Sequence, residues 1–142
     1  KLLNLGRLIN LLKKSLSVAL FGAIGGILRY LLQIKLDTVS PSFPVSLVAI
    51  NVLGAFLLGI LSGGLLILLS TSDVLNVGLT TGLMGGFTTF STFELALLNQ
   101  LKNGHGFAAL FFLVSSVVLS VVMANLGQQL GASLLKHKRK DW

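Results

Sequence analysis

The densest set of chemically useful groups in this sequence is the string GLMGGFTTFSTF, Gly82 to Phe93. Paired glycines, Gly85 and Gly86, precede four hydroxyl residues, Thr88, Thr89, Ser91 and Thr92, and Phe87, Phe90 and Phe93 are interleaved with them. The string lies in a stretch, Val74 to Phe93, that carries no charge. Glycine is a poor helix former. In lipid, irregular backbone survives only where protein buries it or where it lines a cavity. A helix interrupted there frees carbonyls, which can bind a cation, and amides, which can face an anion. The hydroxyls of Thr89, Ser91 and Thr92 and the amide of Asn51 can donate hydrogen bonds to an anion. Phe90 and Phe93 stand three apart, so on a helix their rings share a face and can offer it their positive edges. Read without regard to chemistry, the same string is a kinked structural helix whose rings pack a core.

Three further positions belong with this set. Ser116 and Ser120 are four apart and can extend a hydroxyl track, or serve as helix-packing residues. Glu94 directly follows the string, and an intramembrane carboxylate is a functional candidate. Catalysis finds no support. The chain has no cysteine, His105 and His137 fall in a loop and a tail, and Asp37 and Asp73 fit turn and capping roles. With no converging acid, base and nucleophile, an enzyme is not expected.

The elements that must position these groups follow from composition. Of the residues, 54% are apolar and 11% charged, against about a quarter charged in a soluble domain. Val45 to Leu69, Val74 to Phe93 and Gly106 to Leu135 are free of charge, and Ser15 to Ile34 contains only Arg29. Apolar runs of about 18 or more residues read as membrane spans. The reading is an all-α membrane protein with spans over about Leu16–Ile34, Val45–Leu69, Val74–Leu98 and Phe107–Leu135, the third interrupted near Gly85 to Thr89. The organisation is then a segment 1–14, a four-helix domain 15–135 and a basic tail 136–142. Leu2, Leu5, Ile9 and Leu12 share a side of the first segment among Lys1, Arg7, Lys13 and Lys14, which suits an interfacial amphipathic helix or equally a frayed tail. The loop 35–44 holds Asp37, Thr38, Ser40, Pro41 and Pro44, and Asp73 is placed to cap the third span. Small residues line one face in span one (Gly22, Gly25, Gly26, with Arg29), span two (Gly54, Ala55, Gly59, Ser62, with Asn51) and span four (Ala124, Gly127, Gly131, with both serines), as close helix approach requires. The net charge of +7 sits at the ends of spans, as topology demands, and does not point to nucleic acid.

The pieces GAIGGILRY, NVLGAFLLG and GLMGGFTTFSTF, in this order and spacing, resemble the Fluc family of fluoride channels, also called CrcB. The resemblance covers about Leu16 to Leu135. It implies an antiparallel dimer of four-helix subunits in the cell membrane, with two pores that conduct fluoride passively and protect the cell from it. It implies a structural sodium ion at the dimer centre, held by the carbonyls of Gly85 and Thr88. It also implies Phe90 and Phe93 as pore-lining rings, Asn51 as the polar residue of span two and Arg29 as the arginine of the first motif. Members of that family often carry an acidic residue slightly beyond the position of Glu94.

A small drug-export transporter is the chief rival, also with four spans paired antiparallel. Proton-coupled export needs an embedded carboxylate, which the resembling transporters carry in span one, where this chain has Arg29. A structural membrane subunit leaves the hydroxyl cluster unexplained. Basic flanks add a reading of orientation. Lys1, Arg7, Lys13, Lys14, Lys136, Lys138, Arg139 and Lys140 share one side, against Lys35 and Lys102, plus Arg29 if it is counted as a flank. That bias predicts cytoplasmic termini, with pairing either to itself or to a related subunit of opposite orientation.

Overall fold

The computed structural model describes residues 2–38 and 43–140. All regular elements among them are helical. Helix α1 is Leu2–Asp37, and α2 is Val45–Leu68 with a wide π-type turn at Leu61–Leu65. Helix α3 is 73–87, built from Asp73–Val77, a π-type section Gly78–Leu83, and Met84–Phe87. Helix α4 is Ser91–Lys102 and α5 is Gly106–Lys140. Three helical stretches are long and apolar enough to cross a membrane: Leu5–Asp37, Val45–Leu68 and Gly106–Lys138.

Local chemistry sets the boundaries. Pro44, which lacks an N–H, stands before the first turn of α2. Helix α3 is capped by Ser72, whose Oγ accepts from the Leu75 amide at 3.3 Å. Asp73, expected as the cap, is instead the first helical residue. Helix α4 persists to Lys102, which shortens the connection expected over 99–106, and Gly104 takes a positive φ of 78° in the turn that remains. Gly64, at φ 146°, lets α2 turn within its π section, a conformation that glycine alone adopts freely. No break separates residues 2–14 from the first span; α1 runs through both. The turn expected at Ser40 and Pro41 lies outside the described residues, as do Lys1, residues 141 and 142, and the side chains of Leu2, with which the amphipathic face was to begin, Leu3, Asn4, Arg139 and Lys140.

Helix α2 packs along α5, and α1 along α3. Both seams are made by small residues. A Cβ at Gly59 would run into the Ala124 carbonyl, one at Gly127 into that of Phe56, and one at Gly131 into that of Ile60. Across α1 and α3, a Cβ at Gly25 would meet the Leu83 carbonyl, and one at Gly86 that of Gly22. Gly26 and Ser62, grouped with these faces in the sequence, stay out of the seams: Gly26 meets nothing, and Ser62 is exposed and bonds back to Leu58. Leucines, isoleucines and valines fill the outward faces of α1 and α5, an arrangement that suits lipid. The small true core, Leu47, Phe93 and Phe112 with Phe43 and Leu97 around it, lies where α2, α4 and α5 meet.

Candidate functional site

Helix α3 stops at Phe87, where Thr88 leaves helical geometry for an extended one (φ −78°, ψ 157°). Gly85 and Gly86 are still helical, so the paired glycines do not themselves interrupt the chain. The break lies just past them, where the side chain of Asn51 on α2 meets the chain. Its Oδ1 accepts from the Thr89 amide at 2.9 Å, and its Nδ2 donates to the Thr89 carbonyl at 3.0 Å. One carboxamide thus replaces both helical bonds that Thr89 forfeits, which makes the irregular residues 88–90 tolerable in an apolar setting.

The carbonyls of the last turn of α3 divide accordingly. Met84 O takes both the amide and the hydroxyl of Thr88, each at 2.9 Å. Gly86 O takes Arg29 Nε at 3.4 Å. Arg29 therefore reaches across from α1 to a carbonyl that the interruption exposes. Gly85 O loses its helical donor, since the Thr89 amide has turned to Asn51. Below the interruption α4 opens with its own cap: Thr89 Oγ1 accepts from the Thr92 amide at 3.3 Å and donates to Thr92 Oγ1 at 3.0 Å. The carbonyl end of α3 and the amide end of α4 thus face each other across residues 88–90. Helix dipoles make the first favourable to a cation and the second to an anion.

Beside the amide end of α4 lies a groove of about 310 Å³ lined by Asn51, Phe90, Phe93, Ser116 and Ser120, with Leu113, Val117 and Val121 as its apolar wall. Ser116 is buried, and its Oγ has no hydrogen-bond partner among the described residues. Leaving a buried hydroxyl unpaired costs about 1–3 kcal/mol, so this atom is poised for a ligand. The Nδ2 of Asn51 carries a second hydrogen beyond the one given to Thr89. Phe93 is buried and stacks on Phe112 at 4.5 Å, while Phe90 is 71% exposed and stacks on Phe93 at 6.3 Å. The supporting role of Phe112 was not read from the sequence. Its signal was its place one turn before Ser116 on the same helix.

The remaining candidates are dispersed. Thr88, Thr89 and Gly85 line a second groove of about 500 Å³, which shares Asn51 and Phe90 with the first. Thr92 faces a polar cavity of about 660 Å³ near Asp37, Ser46 and His105, where Ser46 donates to Asp37. Ser91 and Glu94 face away, in a shallow groove among Leu95, Leu98 and Leu101. The expectation that Ser91 and Thr92 join Phe90 and Phe93 around one anion is not met by this geometry. The backbone turn at Thr88–Phe90 sends successive residues in different directions.

As to a cation, no cluster of three or more His, Cys, Asp or Glu exists among the described residues. The freed carbonyl of Gly85 and the extended Thr88 supply hard oxygen donors of the kind an alkali cation takes. A Cβ at Gly85 would meet nothing, so this donor face is open.

Residues 16–128 match the family model described as CrcB-like protein, Camphor Resistance (CrcB). Among relatives, the fluoride-specific ion channel FluC of Hydrogenobaculum sp. is 36% identical over 119 residues, covering 84% of this chain and 98% of that protein. The FluC of Geobacter sulfurreducens is 41% identical over 108 residues, 75% of this chain and 87% of its own. That of Ruminiclostridium cellulolyticum is 39% identical over 116 residues, 81% and 86% respectively. A match that takes in both sides of the interruption, the Asn51 clamp and the serine pair, at this identity over most of each chain, places this protein in the CrcB family.

Proposed function

We propose that this chain is a subunit of a fluoride channel of the cell membrane, through which fluoride leaves passively and the cell is spared its toxicity. The observation that carries the reading is the groove holding the unpaired Ser116 hydroxyl between Asn51, Phe90 and Phe93. The relatives, fluoride-specific channels, supply the ion. Fluoride is small and strongly hydrated, so a path must replace its water with donors. Ser116, Ser120 and the second N–H of Asn51 are such donors, and the edges of Phe90 and Phe93 add positive potential without a charge that would trap the ion. The amide end of α4 favours an anion there.

In this reading α3 and α4 together make the third of four spans, broken mid-membrane. The open face with Gly85 and Thr88 joins a second subunit that is inverted in the membrane. The carbonyls of Gly85 and Thr88 would hold a sodium ion, which when bound supplies a fixed positive charge near the anion path. Arg29, engaged with Gly86, is not a flank, so the basic tally is eight against two. The subunit then inserts mainly with its termini in the cytoplasm, and a related subunit of opposite bias is its natural partner. Glu94 keeps no part in the path.

The test is fluoride efflux from liposomes, read with a fluoride electrode. Rapid dissipation of a fluoride gradient in the absence of a proton gradient is expected. Efflux that needs a proton gradient, or none at all from folded protein, overturns the reading. A topology reporter on the C-terminus tests orientation: equal signal from cytoplasm-active and externally active versions would show dual insertion.

A further inference from the structure

Helix α1 has 36 residues, a length of about 54 Å at about 1.5 Å per residue, against a hydrocarbon core of about 30 Å. The surplus is at its beginning. Lys14 pairs with Asp73 at 3.6 Å, and Ser17 Oγ donates to the Val74 carbonyl at 2.9 Å. These contacts fix the level of the turn between α2 and α3, and the three turns before Lys14 project past it. The family match starts at residue 16, so these turns stand outside the shared channel body.

The projecting turns are sided. Leu5, Ile9, Leu12, Leu16 and Leu20 follow one another at intervals of three or four, so one apolar stripe crosses from the projection into the span. Leu12 and Leu16 are equally bare, 61% and 62% exposed. Arg7, Lys13 and Lys14 lie on the opposite face with Asn10, and no acidic residue occurs before Asp37. A stripe that bathes in acyl chains at Leu16 and Leu20 does not change its solvent at Leu12. A helix with leucines on one face and only cations on the other has the form that binds at a charged lipid surface.

We infer that residues 5–14 are a membrane anchor that carries α1 on through the headgroup layer of the leaflet on the side of the termini: their apolar face stays against lipid, and Arg7 and Lys13 hold anionic lipid headgroups beside the Lys14–Asp73 pair. The anchor secures that end of the subunit to one leaflet and lies apart from the ion path.

The chain has no cysteine, so single labels can be placed without background. Full-length Leu8→Cys, Leu12→Cys and Asn10→Cys proteins carry an environment-sensitive fluorophore. They are reconstituted in phosphatidylcholine vesicles with and without phosphatidylglycerol. In the anionic vesicles, labels at 8 and 12 should be quenched several-fold more by a lipid-borne nitroxide than by aqueous iodide present on both sides, and the label at 10 the reverse. Adding Arg7→Gln and Lys13→Gln together should erase the gain that phosphatidylglycerol gives at 8 and 12. Equal iodide quenching at all three positions would place the segment in water and overturn the inference. Protection of 8 and 12 from both quenchers would mean that protein covers them, and would overturn it too. So would lipid quenching that neither the anionic lipid nor the double change alters. None of these readings depends on flux.

Discussion

Along the seam between α2 and α5, Gly59, Gly127 and Gly131 lie so near the facing backbone that a single added carbon would strike a carbonyl, whereas Gly85, beside the interruption, faces open space. The first set lets two helices touch and is satisfied within the subunit. The second glycine leaves a donor face uncovered. The interruption itself lies past the glycines, at Thr88 to Phe90, where the Asn51 side chain supplies Thr89 with both hydrogen bonds. Composition alone would give these glycines one meaning. Their neighbours give them two.

The contrast can be broken most sharply at the seam. Gly127→Leu should cost about 3 kcal/mol or more of stability by overpacking against backbone, read as loss of a folded peak on gel filtration in detergent. Next in size is Asn51→Asp. It cannot donate to the Thr89 carbonyl and brings a partly buried negative charge, so fluoride flux should fall on the order of tenfold or more. Wild-type flux would remove Asn51 from the path. The two rings should separate in stability but not in flux. Phe93→Ile loses the stack on Phe112 and should be less stable by about 1 kcal/mol beyond the lost area, while exposed Phe90→Ile should melt like the parent; efflux from both should be impaired. Ser116→Ala should leave thermal stability unchanged or slightly higher, because it deletes an unpaired buried hydroxyl, and still slow efflux several-fold. A stability loss instead would mean that Ser116 is a packing residue. The mildest change is Gly85→Ala. With nothing near its Cβ, and with the usual helical advantage of alanine of up to about 1 kcal/mol, the subunit's melting temperature should hold or rise. A collapse like that of Gly127→Leu would erase the distinction between the two places.

Much of this arrangement was legible in the residue order. Three of the four apolar runs became helices long enough to cross a membrane, because a membrane imposes a length and forbids charge, while the run over 74–98 became two shorter helices; the relatives bear out the family to which the three motifs pointed. Asn51, Phe90 and Phe93 were legible as candidates together with Thr89, Ser91 and Thr92, and Ser116 and Ser120 as either a hydroxyl track or packing residues; it is the structure that puts the two serines in one groove with Asn51 and the rings. Three features were not. Periodicity cannot show that the chain turns at Thr88 to Phe90, so Ser91 and Thr92, taken with the rings on their capacity to donate, face other grooves. It could not reveal that Asn51 spends most of its carboxamide on the Thr89 backbone, since that contact joins residues 38 apart. Nor could it foresee that α1 continues without a joint through residues 2–14, because lysines at 13 and 14 end an apolar run without ending a helix.

The clamp between Asn51 and Thr89 also constrains how the protein is made. Residues 88–90 entering lipid without α2 would carry the Thr89 amide and carbonyl bare, at several kcal/mol for each unmet group. Synthesis runs from the N-terminus, so α2 is already in the bilayer with Asn51 when residues 88–90 arrive. The order of the helices along the chain therefore doubles as an assembly order, and a permuted chain that delivered α3 before α2 would be delayed at insertion.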